Sequence, residues 1–507
     1  MVNIHSVWKG ATQETAFPTL EKNLTVDVAI VGGGITGITA AYVLAREGKK
    51  VAVLEARTIG EGATGFSTGN LYAIPGTEGL HTIEKKWNQE VAKKVVESRA
   101  AAIDFIEARV NEFNIPCNFV RVPWCLFSEH GESVFYINKE KDAAIRAGLA
   151  VSSEIPIDIK TLTGFSISNQ AQFNPLSYTV QLAKSIQSEN CLIYQHTKML
   201  KLEDGDPCVI TTDKARVTAT AVIMATHTPK GLYMVHASME PYREYALGVT
   251  LKGAYPPPGT FWNMSFFQHY SMRIADSPLG KILMVLGEKH KVGLKEHNEK
   301  RFENLEKFLN KRFDIDKVIY RWAAQQYRPA DAIPYIGKSS GSKKTYIATG
   351  FSADGLVYGT LAAMIISDEI CDKPNPWTDV YRASRLTPVA SATKFVKANI
   401  SVSYQLIKDY LFKKDTDNLL EIKPTEGKIM EIEGHRCAVH RNAAGSLSVV
   451  SAICPHMGCI VHWNSSEQSW DCPCHGSRFT THGEVIEGPA IHALDPIYSS
   501  AQTRNKG

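Results

Sequence analysis

Two short pairs of cysteine and histidine near the end of the chain are the residues best suited to chemistry. Cys454 and His456 form a C-x-H pair, Cys472 and His475 form a C-x-x-H pair, and residues 457–471 separate them. Two thiolates and two imidazoles at this spacing fit a [2Fe–2S] centre with Cys₂ on one iron and His₂ on the other. Because imidazole is neutral and thiolate is negative, such mixed ligation raises the reduction potential above that of an all-cysteine cluster.

A structural zinc site is the alternative use of the same four residues, since zinc also binds Cys₂His₂ sets. The usual zinc spacings put like ligands together, whereas each pair here is mixed. Two further cysteines, Cys459 and Cys474, accompany the pairs and would be surplus in a zinc site. The pattern therefore favours the iron–sulfur interpretation.

With these six positions in view, the stretch resembles the Rieske domain of cytochrome bc complexes. The resemblance implies a disulfide between Cys459 and Cys474 that joins the two cluster-binding loops, and a third loop at 483–490. It also implies that the Ser477 hydroxyl bonds a cluster sulfur. Phe479 stands where high-potential members have a tyrosine, and loss of that hydroxyl should lower the potential. The sequence therefore predicts a Rieske potential below the respiratory ones.

A second pattern lies near the start of the chain, where residues 25–31 predict a buried parallel strand. A G-x-G-x-x-G motif follows at once, made of Gly32, Gly34 and Gly37. A predicted helix and a second strand that ends at Glu55 complete a βαβ unit. In such a unit the glycines let a pyrophosphate approach the positive helix N-terminus, and the acid binds ribose hydroxyls. The motif in this context predicts a dinucleotide site.

FAD and NAD both suit this fingerprint, and the loop after Glu55 favours FAD. It is rich in Gly, Ser and Thr and resembles the loop that wraps the FAD ribose and pyrophosphate in the D-amino-acid oxidase and glycine oxidase superfamily. On composition alone, a solvated surface loop is the alternative. Lys198 would border the adenine, but a basic residue departs from the usual apolar one, so only its backbone contact is expected. The FAD contacts that the resemblance implies in the loop are Arg57, Gly62, Ala63 and Thr64.

A third segment resembles the C-terminal FAD motif of the same superfamily. An R-P-x-D-x-x-P-x-I-G sequence at 328–337 precedes a predicted strand, a glycine-bearing turn and a helix. The resemblance implies that Gly350, Phe351 and Gly355 form the flavin-binding turn, where the helix dipole can stabilise reduced flavin. Arg328 aligns with an arginine that holds the substrate carboxylate in amino-acid-oxidising relatives. A structural salt bridge is the alternative role for Arg328.

Together these segments predict an α/β, Rossmann-like FAD-binding domain with an interleaved α+β substrate domain, then a small all-β Rieske domain. The expected bounds are 1–375 for the oxidoreductase, 376–416 for a partly helical connector and 417–507 for the Rieske domain. The expected nucleotide-binding segments lie near 25–90, 170–235 and 320–372. Candidate pocket residues on the substrate sheet, for which simple packing is the alternative, are Tyr242, Tyr245, Tyr270 and Arg273.

The composition is that of an ordinary globular protein, with 44% hydrophobic and 21% charged residues in 507. A net charge of +4 is too small and scattered to favour nucleic-acid binding. The N-terminus has no apolar run behind a basic start, and later apolar stretches are too short to span a bilayer. These features predict a cytoplasmic protein without integral membrane segments. The amphipathic connector leaves peripheral membrane contact as an alternative.

The two cofactors together predict a converter from two-electron to one-electron chemistry. The expected function is an FAD-dependent dehydrogenase that oxidises a small amine or amino acid at a C–N bond and passes electrons singly through the Rieske centre to an external acceptor. An oxidase that uses O₂ would need no cluster. The alternative is an electron-transfer or redox-sensing protein without a small-molecule substrate. No acid–base residue for the substrate is evident from the sequence.

Overall fold

The chain is described by a computed structural model that covers residues 2–12, 15–265, 268–294, 298–385 and 418–498. These residues form two compact units. The large unit comprises the described parts of Met1–His227, Glu244–Lys289 and Phe302–Ala390. The small unit comprises Thr228–Arg243, His290–Arg301 and the described part of Ser391–Gly507. The sequence placed residues up to 235 with the nucleotide-binding segments, and residues 236–243 and 290–301 with the substrate domain. The segments 228–243 and 290–301 cluster with the small unit.

Strands carry most of the regular structure. In chain order they are β1 (Leu24–Val31), β2 (Val51–Leu54), β3 (Asn70–Leu71), β4 (Val120–Ser128), β5 (Val151–Ser152), β6 (Thr163–Gln172), β7 (Cys191–Tyr194), β8 (Met199–Glu203), β9 (Cys208–Thr212), β10 (Arg216–Met224), β11 (Met239–Leu251), β12 (Thr260–Met264), β13 (His269–Ser277), β14 (Gly280–Lys291), β15 (Ile315–Pro329), β16 (Tyr335–Lys338), β17 (Thr345–Thr349), β18 (Gly427–Ile432), β19 (His435–Arg441), β20 (Leu447–Ser451), β21 (His462–Asn464), β22 (Ser469–Asp471), β23 (Arg478–Phe479), β24 (Val485–Glu487) and β25 (Pro496–Tyr498).

Among the described residues, the helices contain fewer residues in total than the strands. In chain order the α-helices are α1 (Ile35–Arg46), α2 (Ala63–Phe66), α3 (Leu80–Lys86), α4 (Gln89–Glu112), α5 (Val134–Arg146), α6 (Pro175–Ile186), α7 (Lys300–Asn310), α8 (Gly355–Ile370) and α9 (Thr378–Tyr381). Short 3₁₀ turns occur at Lys9–Ala11, Gly131–Ser133, Met234–Ser238 and Leu419–Glu421.

The first sheet of the large unit has the predicted nucleotide-binding architecture. Its strands run in the order β16-β17-β10-β1-β2-β7, and β9 pairs with both β10 and β8. β1 is paired in parallel with β2 and β10, and its last four residues are all buried. A continuous apolar strand of this kind needs cover on both faces, which helices on a parallel sheet supply.

The turn between β1 and α1 depends on two of its glycines. Gly32 has φ +109°, and a Cβ there would lie 2.5 Å from the carbonyl oxygen of Ala225. A Cβ on Gly37 would collide with the carbonyl oxygen of Gly32. Only glycine at both positions lets the turn, the helix and β10 pack this closely, as the fingerprint predicted.

The second sheet has nine strands in the order β15-β11-β14-β13-β12-β4-β6-β3, with β5 paired to β6. It corresponds to the predicted substrate-domain sheet, and most of its residues lie in the large unit. The first residues of β11 and the last residues of β14 belong to the small unit.

The small unit contains two antiparallel sheets of four strands, β18-β19-β20-β25 and β21-β22-β23-β24. Its core combines Trp463, Trp470 and Phe479 with the four cysteines of the two cluster-binding loops. This arrangement confirms the predicted small all-β domain.

The predicted connector at 376–416 lies largely outside the described residues. Only its first ten positions, up to residue 385, are described, and they contain α9. Within the described ranges, no helix has both the length and the apolar character that a membrane crossing requires.

Candidate cofactor sites

The two cluster-binding loops bring their cysteines together in the interior of the small unit. Cys459 and Cys474 form the predicted disulfide, which leaves Cys454 and Cys472 as the free thiols. Both free thiols are buried, at 1% and 2% exposure, and they contact each other. Hydrogen bonding from the Cys472 thiol lowers the pKa of Cys454. The two thiols are therefore placed to act as one pair of metal ligands.

The two histidines complete the set, with ring centroids 4.9 Å apart. His456 Nε2 donates to the carbonyl oxygen of Gly231 at 3.2 Å, so Nδ1 is the nitrogen left for a metal. The Nδ1 atom of His475 is buried and has no hydrogen-bond partner among the described residues. Burial lowers the pKa of His475 to about 4, which keeps its imidazole in the neutral form that binds metals. Two thiols and two neutral imidazoles suit a [2Fe–2S] centre.

Three further features of this site bear on the resemblance to Rieske domains. The Ser477 hydroxyl bonds the Cys454 sulfur, and its predicted bond to a cluster sulfur stays a prediction. Phe479 is fully buried and offers no hydroxyl. Gly488 has φ +99°, and a Cβ there would lie 2.5 Å from the Cα of Ser477, so the third loop lies against the second.

The predicted FAD-binding residues of the N-terminal motif also lie together. Glu55 ends the second strand, and its carboxylate accepts from the backbone N–H of Gly33 at 2.7 Å and of Arg57 at 2.8 Å. The Thr64 hydroxyl accepts from the N–H of Ile35, the first residue of α1. Gly62 and Ala63 begin the short helix α2 that carries Thr64. The loop after Glu55 thus lies at the N-terminus of α1, where a pyrophosphate would bind.

The predicted adenine contact lies beside the same acid. The backbone N–H of Thr197 donates to the carbonyl of Glu55 at 2.9 Å, and that of His196 donates to the carbonyl of Arg57 at 3.0 Å. Lys198 follows directly and its side chain is exposed. This geometry suits a contact through the Lys198 backbone, which stays a prediction.

The C-terminal motif forms the predicted turn and helix. Gly350 has φ +78°, Phe351 is buried, and α8 begins at Gly355. The residue before the helix, Asp354, makes no side-chain capping bond to it. The N-terminal N–H groups of α8 are therefore not capped by this side chain, and the direction of the helix dipole at the flavin stays a prediction.

Asp354 instead belongs to a buried ion pair that the sequence did not reveal. Arg99, on α4, is fully buried, and its Nη1 lies 3.1 Å from the Asp354 carboxylate. Arg99 also donates to the backbone carbonyls of Tyr72, Ala73 and Ile74. The Tyr72 hydroxyl donates to Asp354 at 2.8 Å. This network fixes the start of α8 against the chain that follows β3.

Arg328 forms a bidentate ion pair in the structure. Its Nε and Nη2 donate to the two carboxylate oxygens of Glu78 at 2.7 and 2.9 Å. Ser352, in the turn before α8, donates to the same carboxylate at 2.9 Å. The pairing agrees with the salt-bridge alternative, and substrate binding by Arg328 stays a prediction.

The other candidate pocket residues mostly serve packing. Tyr245 is fully buried against Phe302, and Tyr270 stacks on Phe308 with ring centroids 4.0 Å apart. Arg273 is buried and donates to the backbone carbonyls of residues 68 and 69.

Sequence reasoning missed a buried polar pair on neighbouring strands of the second sheet. Glu244, on β11, and Gln326, on β15, are 8% and 3% exposed. The Gln326 amide N–H donates to the Glu244 carboxylate at 2.8 Å, and the amide oxygen of Gln326 has no partner within the described ranges. Burial raises the pKa of Glu244, while the charges of Lys289 and Arg328 oppose that rise. A single glutamate in a strand sequence carries no signal that could have found this pair.

Comparison with known proteins agrees with both sites. Residues 27–369 match the family of FAD dependent oxidoreductases, and residues 415–498 match the Rieske [2Fe-2S] domain. The Rieske 2Fe-2S iron-sulfur protein YhfW of Bacillus subtilis is 32% identical over 498 residues, which is 97% of each chain. Gamma-glutamylputrescine oxidoreductase of Escherichia coli is 27% identical over 42% of this chain and 52% of its own.

Solved structures support the fold of the large part of the chain. L-proline dehydrogenase from P. horikoshii superposes with a TM-score of 0.58 at 17% identity, covering 72% of this chain and 98% of its own. At this identity the likeness concerns the fold alone. The oxidoreductase match spans more than half of the chain and the Rieske match spans the loops that carry the cluster-site residues. The chain therefore belongs to the FAD dependent oxidoreductase family, binds FAD, and carries a C-terminal Rieske domain that binds a [2Fe–2S] cluster.

Proposed function

We propose that this oxidoreductase is a dehydrogenase that oxidises a small amine or amino acid at its C–N bond and delivers the electrons singly to an external one-electron acceptor. FAD would take a hydride from the carbon beside the nitrogen while the nitrogen loses a proton, and the [2Fe–2S] centre would pass on the two electrons one at a time. The product is an imine, which water hydrolyses. The observation that carries the proposal is the buried pair of Glu244 and Gln326.

This pair presents hydrogen-bond acceptors where the structure supplies too few donors. The Glu244 carboxylate accepts from Gln326, and the amide oxygen of Gln326 is buried without a partner in the part of the chain that is described. A buried acceptor without a donor costs about 1–3 kcal/mol. An amine or ammonium group donates two or three hydrogen bonds and would satisfy both groups.

Electrostatic coupling relates this pair to the flavin-binding turn. Asp354, which precedes α8, raises the pKa of Glu244, and Glu244 in turn raises the pKa of Tyr72. The positive charges of Lys289 and Arg328 lower the pKa of Glu244. A substrate nitrogen at Glu244 would therefore lie within electrostatic range of the start of α8.

The relatives support a nitrogen-bearing substrate. One is named for gamma-glutamylputrescine and one solved structure is named for L-proline. Both compounds carry an amine nitrogen next to an oxidisable C–H bond.

Replacing Glu244 with glutamine tests the proposal directly. We expect kcat/KM for flavin reduction to fall about 10- to 150-fold, because a hydrogen bond to a charged group contributes about 1.5–3 kcal/mol. The charged carboxylate binds a protonated amine more strongly than the neutral carboxylic acid does, so wild-type kcat/KM should rise with pH through the raised pKa of Glu244. This rise of kcat/KM with pH should be absent in the E244Q protein. Anaerobic stopped-flow with a panel of amines, amino acids and N-methyl amino acids measures both kcat/KM and its dependence on pH.

The matched control is Glu303→Gln, on the exposed surface of α7. It should leave kcat/KM and its pH profile unchanged. Equal rates and equal pH profiles for E244Q and E303Q would contradict the role of Glu244.

For Arg328 we propose that a substrate carboxylate competes with Glu78 for the guanidinium. Arg328→Lys keeps the charge but loses the bidentate geometry. We expect KM to rise about tenfold for amino acids and to stay unchanged for the corresponding amines that lack a carboxylate. Equal effects on both substrate classes would show that Arg328 serves only its pair with Glu78.

A further inference from the structure

The segment Thr228–Arg243 lies against the cluster-binding loops within the small unit. The backbone N–H of Gly231 donates to the carbonyl of Pro489 at 2.9 Å, and Lys230 donates to the carbonyl of Gly488. The Gly231 carbonyl accepts from His456 Nε2. The segment therefore contacts both the first and the third loop of the cluster site.

A third histidine from the same segment faces the two predicted ligands. The ring centroid of His236 lies 5.0 Å from that of His456 and 6.0 Å from that of His475. His236 is 5% exposed, and its Nε2 lies 3.1 Å from the carbonyl oxygen of Pro229. Because a carbonyl only accepts, Nε2 carries the proton and Nδ1 is an acceptor. Nδ1 is buried without a partner among the residues that the structure describes.

The far end of the segment is anchored by buried charges. Arg243, whose side chain is 5% exposed, pairs with Glu467 and with Glu487, the latter at 2.7 Å. Arg478, on β23, pairs with both of these glutamates, at 3.1 and 2.8 Å. Breaking such a buried network leaves uncompensated charge, so the segment is held firmly.

The segment Thr228–Arg243 comes from the oxidoreductase part of the sequence. Residues 228–243 fall inside the match to the oxidoreductase family and far from the match to the Rieske domain. The oxidoreductase sequence thus supplies a cover that packs on the histidine side of the cluster site.

We propose that this segment is a built-in cover over the histidine ligands of the cluster, with His236 as its positioning residue. It fixes both imidazoles, excludes water from them and lowers the reduction potential. The proposal rests on His456 and His475 as ligands and is independent of the substrate.

The sign of the effect follows from charge. Reduction adds one negative charge to the cluster, and a buried charge is less stable than one facing water. The Gly231 carbonyl also accepts a hydrogen bond from the His456 N–H. This bond makes that imidazole a more electron-rich ligand. Both effects favour the oxidised cluster.

The test is an EPR-monitored redox titration of the full-length holoprotein with dithionite. For His236→Ala we expect reduction to become about tenfold more favourable, an upward shift of about 59 mV for one electron. His236→Phe keeps a ring over the ligands and should stay within about twofold of the wild type. His435→Ala, an exposed histidine of the same unit, should change nothing. A potential for H236A within twofold of the wild type would overturn the proposal.

A second measurement needs no variant, in case H236A does not retain the cluster. The Nε2 proton of His456 should exchange with deuterium at least tenfold more slowly than an exposed imidazole proton, as followed by pulsed EPR of the reduced cluster. Exchange complete within the mixing time would show that the histidine ligands are not covered.

Discussion

A Cys454→Ala protein should contain FAD but no [2Fe–2S] cluster. The disulfide between Cys459 and Cys474 removes two of the four nearby cysteines from coordination, so Cys454 has no substitute. With one thiolate ligand gone, the pair of irons loses a position that water does not fill stably. We expect complete loss of the Rieske EPR signal, while a substrate still bleaches the flavin.

The matched control for this variant is Cys437→Ala. Cys437 is also fully buried in the small unit, but it lies on β19, outside the cluster-binding loops. Its removal should leave the EPR signal at full intensity. A Rieske signal in the C454A protein would show that the ligand assignment is wrong.

An Arg99→Met protein should lose about 3–5 kcal/mol of the free energy of unfolding. Methionine fills much of the volume, but it leaves the Asp354 carboxylate buried without its cation. Burial already raises the pKa of Asp354, and Arg99 opposes that rise, so the variant should bind a proton at this site. The three backbone carbonyls that Arg99 satisfies also lose their donor. Because Asp354 precedes α8, FAD should also dissociate more readily.

Denaturant unfolding and the flavin content after gel filtration measure both effects. The control is Arg146→Met, which breaks an exposed pair with Glu84 and should cost at most about 1 kcal/mol. Equal losses for the two variants would contradict a structural role for the buried pair.

The parts of the structure that the sequence predicted are those determined by local spacing. The predicted cluster ligands fall within a single short stretch, and the βαβ glycines act on their own neighbours, so motif and context suffice to make both predictions. The disulfide between Cys459 and Cys474 was predicted by resemblance to Rieske domains and is confirmed.

The parts that were missed depend on distant partners. Tyr72 and Asp354 are 282 residues apart, and Arg243 and Glu467 are 224 apart. Glu244 is a single acid in a strand, and its partner Gln326 lies on a neighbouring strand far along the chain. Hydrophobic periodicity reports which face of a strand is buried, but it does not report which buried polar groups meet.

Local sequence pattern also does not determine to which of the two units a segment belongs. Residues up to 235 were expected in the nucleotide-binding part of the chain, and residues 236–243 were expected in the substrate domain. In the structure they cluster with the small unit, where Gly231 and His236 meet the cluster histidines.

The central claim is that electrons from a small nitrogen-bearing substrate reach the cluster of the same chain. The most direct measurement is anaerobic mixing of the purified holoprotein with single compounds from the amine and amino-acid panel, with visible and EPR spectra recorded on the same samples. The account predicts that one class of compound bleaches the flavin and that the Rieske signal of the reduced cluster then grows in. If dithionite reduces both centres but no compound of the panel reduces either, the proposed dehydrogenase function is wrong.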